Sequence, residues 1–409
     1  YMRRYIISHF REPMDIASSP LGEKHAIYGG GPNLKQGLRN VMSKYGPKLI
    51  GVATTCLTDT IGDDVPMFVK DCVQEYKANG QEAALPRIVT VASPSYHGTH
   101  MEGFHWAVRA LVEQLAADAP PTGAVNLFPG FVSPADIRYL KEILADFELT
   151  GIIVPDISET LDGPIQAEYA KIPEGGTPLE DIVGMSGSRA SLEFGASLRN
   201  QQTAGTFLEK RSGVALHRLG LPIGLRETDL FYSLLEIISG RPTPKKHALE
   251  RGRLLDAFVD GHKYIFAKRA VVYGEEDLVV GLTAFLAEIG VHPVLCASGG
   301  NTGRLAEAIT AVTADLLPEL PIIRGGVDFH DIAQEAQELA PDLLVGHSKG
   351  YHLAKKWRIP LVRVGFPIHD RFGGPRLLHL GYRGAQQLLD TIINVVLAKK
   401  QEDSPIGYG

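Results

Sequence analysis

Cysteine is scarce in this sequence: 409 residues contain only Cys56, Cys72 and Cys296. Three such scattered thiols make no disulfide framework, which predicts a reducing compartment where any cysteine that matters is a thiolate or a metal ligand. Long apolar runs are absent as well. No stretch has the roughly 20 apolar residues that cross a bilayer, and the opening YMRRYIISHF lacks the apolar core and cleavage site of a signal peptide. A cytoplasmic protein with no membrane partner is expected. Blocks of like charge are missing, and the formal net charge is -6. That leaves no basic footprint, so nucleic acid is not an expected partner. Neither GxGxxG nor a P-loop occurs, so nothing supports a dinucleotide or ATP bound by this chain. The first residue is Tyr, which predicts that the natural chain starts further upstream.

What is present is an ordinary globular composition, 44% hydrophobic and 22% charged, in a chain long enough for two or three domains. Along it one rhythm recurs: a short β-branched apolar run, a Gly- or Ser-containing turn, then a longer amphipathic run. That is the pattern of βαβ units and parallel sheets. KLIGVATT, RIVTVASPS and AVNLFPGF read as buried strands of a first stretch, GIIVPDIS opens a second, and RAVVYGEED, HPVLCASGGN, LPIIRGG, PDLLVGHSKG and IPLVRVGFP form a third. The expected fold class is α/β, with three Rossmann-like domains whose parallel sheets are flanked by helices. Their boundaries fall near Pro120 and Lys246, giving domains 1–120, 121–246 and 247–409.

In open parallel sheets ligands bind beyond the carboxyl ends of the strands. The loops to watch are therefore TTCLTDTIGDD, SPSYHGTH, PGFVSPAD, YGEED, SGGN and GHSKG. Cys56 ends an apolar strand, where a thiolate can bind a soft metal or act as a nucleophile. A small buried cysteine filling a strand end is the commoner arrangement. Cys72, on a helix, and Cys296, inside a strand, read as core. The loop Ser93–His100 brings hydroxyls and imidazoles near Cys56, and such groups can complete a metal site or its hydrogen-bond shell. With no GxSxG elbow, hydrolase chemistry is not expected. The strings 346–350 and 365–371 either line a cleft or are simply capped turns, and Asp277 reads as a helix N-cap.

Taken in order, RYIISHFREP, EKHAIYGG, NLKQGLRNV, TTCLTDTIGDD, SPSYHGTHMEGF, NLFPGF, LPIGL, ERGRLLD, VVYGEEDLVVGL, PLVRVGFPIHDR and LGYRGAQQL resemble beta-type subunits of the nitrogenase component 1 family over almost the whole chain. The resemblance implies an oxidoreductase subunit active only within a complex. Its partners would be a homologous alpha-type subunit, in an α2β2 heterotetramer, and an ATP-dependent iron protein. At the alpha/beta interface it implies an iron–sulfur cluster of P-cluster type, [8Fe-7S] or [4Fe-4S], that relays electrons to an active-site cofactor in the alpha-type subunit.

Carried over by position, Cys56 corresponds to a cluster cysteine and Ser95 to a serine that joins the oxidised cluster. Arg11 and Glu12 correspond to a pair beside a metal site between two beta-type subunits, and Met2 and Tyr28 to the docking surface for the iron protein. Two more cluster cysteines of the family would lie upstream of Tyr1. The segment GFPIHDRFGGPR lacks a paired His after Asp-Arg, which points to a relative within the family. A cofactor-maturation scaffold, or a methylthio-alkane or tetrapyrrole reductase subunit, is the alternative function. Cys56 and Ser95 together favour the electron-relaying reading.

Overall fold

The computed structural model describes residues 2–13, 16–96, 98–168, 170–198 and 201–406. Eleven strands among them make three sheets, and every pairing is parallel. β1 (Leu49–Ala53) and β2 (Arg87–Val91) pair alone. β3 (Val125–Phe128), β4 (Gly151–Ile153), β5 (Ala190–Phe194) and β6 (Ala215–Leu219) form a sheet of order β4-β3-β5-β6. β7 (Arg269–Gly274), β8 (His292–Ser298), β9 (Ile322–Gly325), β10 (Leu343–Gly346) and β11 (Leu361–Arg363) form one of order β11-β10-β7-β8-β9. Helices follow most strands, as parallel connections demand. No helix of the described residues is long and apolar enough to cross a membrane.

The two larger sheets are built as doubly covered parallel sheets should be, from continuous apolar strands. β3 and β10 bury every residue. Alternation sends Val271 and Tyr273 of β7 to one core and Ala270 and Val272 to another. That second core also holds Val125, Leu127, Leu192 and Phe194, so the second and third sheets share one continuous packing. Helix Lys245–Ile265 enters it through Leu254 and Ile265 and lies along the terminal helix Gly381–Asp403.

Two readings of the strands need correction. AVNLFPGF does not belong with β1 and β2, because β3 sits in the middle of the four-stranded sheet between β4 and β5. Nor are β1 and β2 buried: only Val89 is. The reason is that a sheet of two strands has little face to cover. Its core is the small cluster of Leu38, Val65, Val69 and Cys72 with Ile50, Val52 and Ile88 beside it.

Candidate functional site

Loops from all three sheets converge on one crevice, where His100, Phe131, Leu221, Glu275 and Phe366 meet. This is where open parallel sheets place their ligands. The crevice is nevertheless filled by the chain itself. The Phe366 ring lies 5.0 Å from His9 and 5.2 Å from Phe131, both edge-on, and about 50 Å³ of space remains. His9 Nδ1 accepts a bond from the Ile368 amide at 2.9 Å, and burial pushes this imidazole down to about 4, so it is neutral. Burial raises both the Glu275 and Asp277 carboxyls. Room for a large bound group is lacking.

Asp277 is not the N-cap of its helix. Glu275 caps Glu276–Glu288, accepting from the amides of Asp277 and Leu278, while Asp277 takes the amide and hydroxyl of Ser197 at 2.8 and 3.0 Å. An acid two residues earlier captures the amides, which frees Asp277 to tie the third sheet to the loop after β5. The strings 346–350 and 365–371 are joined to each other. Ser348 Oγ bonds Asp370 and accepts from the His369 amide, and Arg363 holds the same carboxylate.

The chemistry-bearing residues lie away from this crevice, at the end of the two-stranded sheet. β1 ends at Ala53, Thr55 is extended, and Cys56 opens the short helix Cys56–Thr60. Cys56 is exposed, unlike Cys72 and Cys296. It is therefore no strand-end filler. Cys296 behaves as core: burial pushes its thiol up to about 12, and its Sγ lies 3.2 Å from Thr283 Oγ1.

After β2 the chain turns through Ser95 and Tyr96, both exposed, before Thr99 and Glu102 close a capping box on helix His100–Leu115. His97 lies outside the described residues. The two turns are locked together one residue past β1 and two past β2. The Ser93 amide donates to Thr54 Oγ1 at 3.1 Å, Ser93 Oγ donates to the Thr54 carbonyl at 2.8 Å, and the Thr54 amide donates to the Val91 carbonyl at 3.0 Å. Cys56 and Ser95 each follow a member of this locked pair by two residues, a reach of at most about 7 Å of extended chain. The sequence names the loops that Thr54 and Ser93 open but not the bonds between them. A hydroxyl residue one place past β1 and another two places past β2 is the signal for that pairing.

Tyr28 ends helix Glu23–Tyr28 and is 84% exposed, with Ile27 at 77% beside it. The next turn touches the Cys56 segment, since the Gly30 amide donates to Asp63 Oδ2 at 2.9 Å. Arg11 and Glu12 lie elsewhere, after helix Met2–Phe10, with the Arg11 guanidinium 5.7 Å from the Phe372 ring. The Met2 side chain lies outside the described residues. Among these, no three His, Cys, Asp or Glu are grouped so as to hold a metal ion.

The family model for nitrogenase component 1 type oxidoreductases matches residues 1–397. A nitrogenase molybdenum-iron protein beta chain from Clostridium pasteurianum is 34% identical over 404 residues, covering 98% of this chain and 87% of that one. A nitrogenase vanadium-iron protein beta chain from Trichormus variabilis is 33% identical over 408 residues, covering 97% and 87%. A nitrogenase iron-iron protein beta chain from Rhodobacter capsulatus is 31% identical over 405 residues, covering 97% and 86%. A solved structure described as nitrogenase Cp1 at pH 6.5 superposes with a TM-score of 0.94 at 32% identity, covering all of this chain and 88% of that one.

Proposed function

The chain belongs to the nitrogenase component 1 family as a beta-type oxidoreductase subunit, and on that footing we propose that it helps hold an iron–sulfur cluster shared with an alpha-type subunit. In this reading it relays electrons from an ATP-dependent iron protein toward the active-site cofactor of the alpha-type subunit. The observation that carries the proposal is the exposed Cys56, held two residues beyond the Thr54–Ser93 lock, as Ser95 is.

The donor set fits a shared group better than a private one. Cys56 is the one exposed thiol of the three, and no cluster of three ligands forms among the described residues. Iron–sulfur clusters are held chiefly by several thiolates, so the remaining ones must come from outside this set. Cys56 would supply a soft thiolate and Ser95 a harder oxygen suited to more oxidised iron. A bound cluster there provides one-electron transfer. The half-exposed faces of β1 and β2 support the same reading, because parallel strands are ordinarily covered on both sides. An alpha-type subunit is the cover we propose, in an α2β2 assembly.

Exposed Ile27 and Tyr28, joined through Gly30 to the Cys56 segment, suit a docking patch for the iron protein. Met2 belongs to the same proposed surface by position. Arg11 and Glu12 we assign to a metal site between two beta-type subunits, where the Glu12 carboxylate is a hard oxygen ligand. Division of the chain near Pro120 and Lys246 is part of the same proposal.

Replacing Cys56 with Ala in the full complex, prepared without oxygen, tests the central claim. Iron and sulfide content should fall by the share of one cluster and electron transfer should drop by more than about tenfold, in line with loss of a metal ligand. Full iron content with an unchanged rate would refute the assignment.

A further inference from the structure

The Asp63 carboxylate stands where two segments of the first unit meet. On one side it belongs to the Cys56 turn: its amide donates to the Thr58 carbonyl at 3.2 Å and its own carbonyl accepts from Val65 at 3.1 Å. On the other side it receives the Gly30 amide at 2.9 Å across 33 residues of sequence. Gly30 is itself a junction. It follows the helix that ends in Tyr28, and its carbonyl accepts the Leu34 amide in the first turn of helix Gly31–Tyr45.

Both glycines before that helix are shaped around the carboxylate. A Cβ on Gly29, whose φ is +81°, would lie 2.9 Å from Asp63 Oδ1, and one on Gly30 would lie 2.8 Å from Oδ2. A side chain at either position would push Asp63 aside, and at Gly30 Leu21 as well, whose Cδ2 would lie 2.7 Å from the added Cβ. The Gly30 amide precedes helix Gly31–Tyr45, whose dipole favours a negative charge at that end. One half-buried carboxylate thus fixes the exit of the Tyr28 helix against the helix that begins with Cys56.

We propose that Asp63 is a positioning residue that holds the exposed Ile27–Tyr28 patch in register with Cys56, so that a protein electron donor bound at the patch is aligned with the cluster ligand. This rests on the function proposed above and names the side chain that joins its two surfaces. A cap would stabilise the helix whatever docked beside it. A positioning role makes the further demand that donor recognition, not cluster content, responds to the loss.

The experiment compares Asp63→Ala and Asp63→Asn in the full complex, with the ATP-dependent iron protein as donor. Ala removes the acceptor; Asn keeps an oxygen for the Gly30 amide. Asp63→Ala should raise the KM for the donor about tenfold, the scale of one lost charge-assisted hydrogen bond, with iron content and the cluster's electron-paramagnetic signal unchanged. Asp63→Asn should stay within about twofold of the parent, since it retains the acceptor. If Asp63→Ala does not assemble, Asp63→Ser replaces it, its hydroxyl being too short to reach Gly30. An unchanged KM in the Ala or Ser variant overturns the inference, and so does a rise that merely follows lost iron. Cys56→Ala separates the two ideas: if it leaves the cluster intact the underlying function fails, whereas a lost cluster with an unchanged KM in Asp63→Ala fells only this inference.

Discussion

The first and third sheets are both parallel, yet they are built to opposite standards. In the third, β7, β8 and β10 are almost wholly buried, and the helix Glu276–Glu288 between β7 and β8 buries nearly every side chain. In the first, two strands stand half exposed over a small core, and a cavity of about 390 Å³ opens beside β1 and the Cys56 helix. A chain that packs one sheet to completion is able to pack another. The uncovered surface is the one that carries Cys56, Ser95 and Tyr28, and it is the face for which an alpha-type subunit is proposed as the cover. The crevice where loops of the three sheets converge, the place at which open parallel sheets bind ligands, is instead filled by Phe131, Phe366 and His9.

That contrast is broken most sharply by truncating one side chain in each region. Phe285 is fully buried in helix Glu276–Glu288, and Phe285→Ala should lower the unfolding free energy by about 3–5 kcal/mol through lost burial and a residual cavity. Cys56→Ala, at an exposed position, should change it by less than about 0.5 kcal/mol when both are measured by denaturant titration of cluster-free protein. Comparable losses at the two sites would mean that the first unit is better packed than its burial shows.

Acid should act on the core that helix His100–Leu115 closes between the first and second sheets. His105, on the inner face of helix His100–Leu115, is 6% exposed, and burial pushes its imidazole down to about 4. The folded chain therefore prefers the neutral ring, while the unfolded chain protonates near pH 6.5. The resulting stability is complete above pH 6.5 and is lost as pH falls through 6.5 toward 4, a contribution on the order of 3 kcal/mol. His105→Phe should flatten the acid limb of a stability-against-pH profile over that window. An unaltered limb would show that His105 is hydrated or already charged in the folded state.

What the sequence makes legible follows the same division. β7, β8 and β10 are readable because full burial forces uninterrupted runs such as RAVVYG, HPVLCAS and LLVG. β5 and β6 are not legible because ASLEF carries polar residues in a fully buried strand and ALHRL is a half-exposed edge strand beside it. Glu193 is 1% exposed and is satisfied there by Arg218 and Thr203, both at 2.9 Å, a solution no local pattern announces. The stretch GTFLEKR lies in helix Ala204–Ser212, capped by Thr203. At the candidate site the residue types were visible as TTC and SPS, but the bonds that align them were not. The Thr54–Ser93 lock and the Asp63–Gly30 link join residues 39 and 33 positions apart, a relation that only the pairing of β1 with β2 and the meeting of two helix ends create.

The smallest expected effects distinguish the lock from the ligand. Ser93→Ala removes the 2.8 Å bond to the Thr54 carbonyl and should cost about 1 kcal/mol, loosening the turn of Cys56 together with that of Ser95. Its spectroscopic consequence should therefore appear in every oxidation state of the bound cluster. Ser95→Ala differs, because Ser95 is exposed and takes no part in the lock. Stability should stay within about 0.5 kcal/mol of the parent, and the cluster should assemble, since the Cys56 thiolate is untouched. A hydroxyl is a poor ligand until it loses its proton, and an alkoxide suits harder, more oxidised iron better than reduced iron. The reduced signal should accordingly be unchanged while the oxidised signal and its potential shift. If Ser95→Ala alters reduced and oxidised forms alike, Ser95 acts as a structural neighbour of Cys56; if it alters neither, the turn after β2 does not reach the cluster.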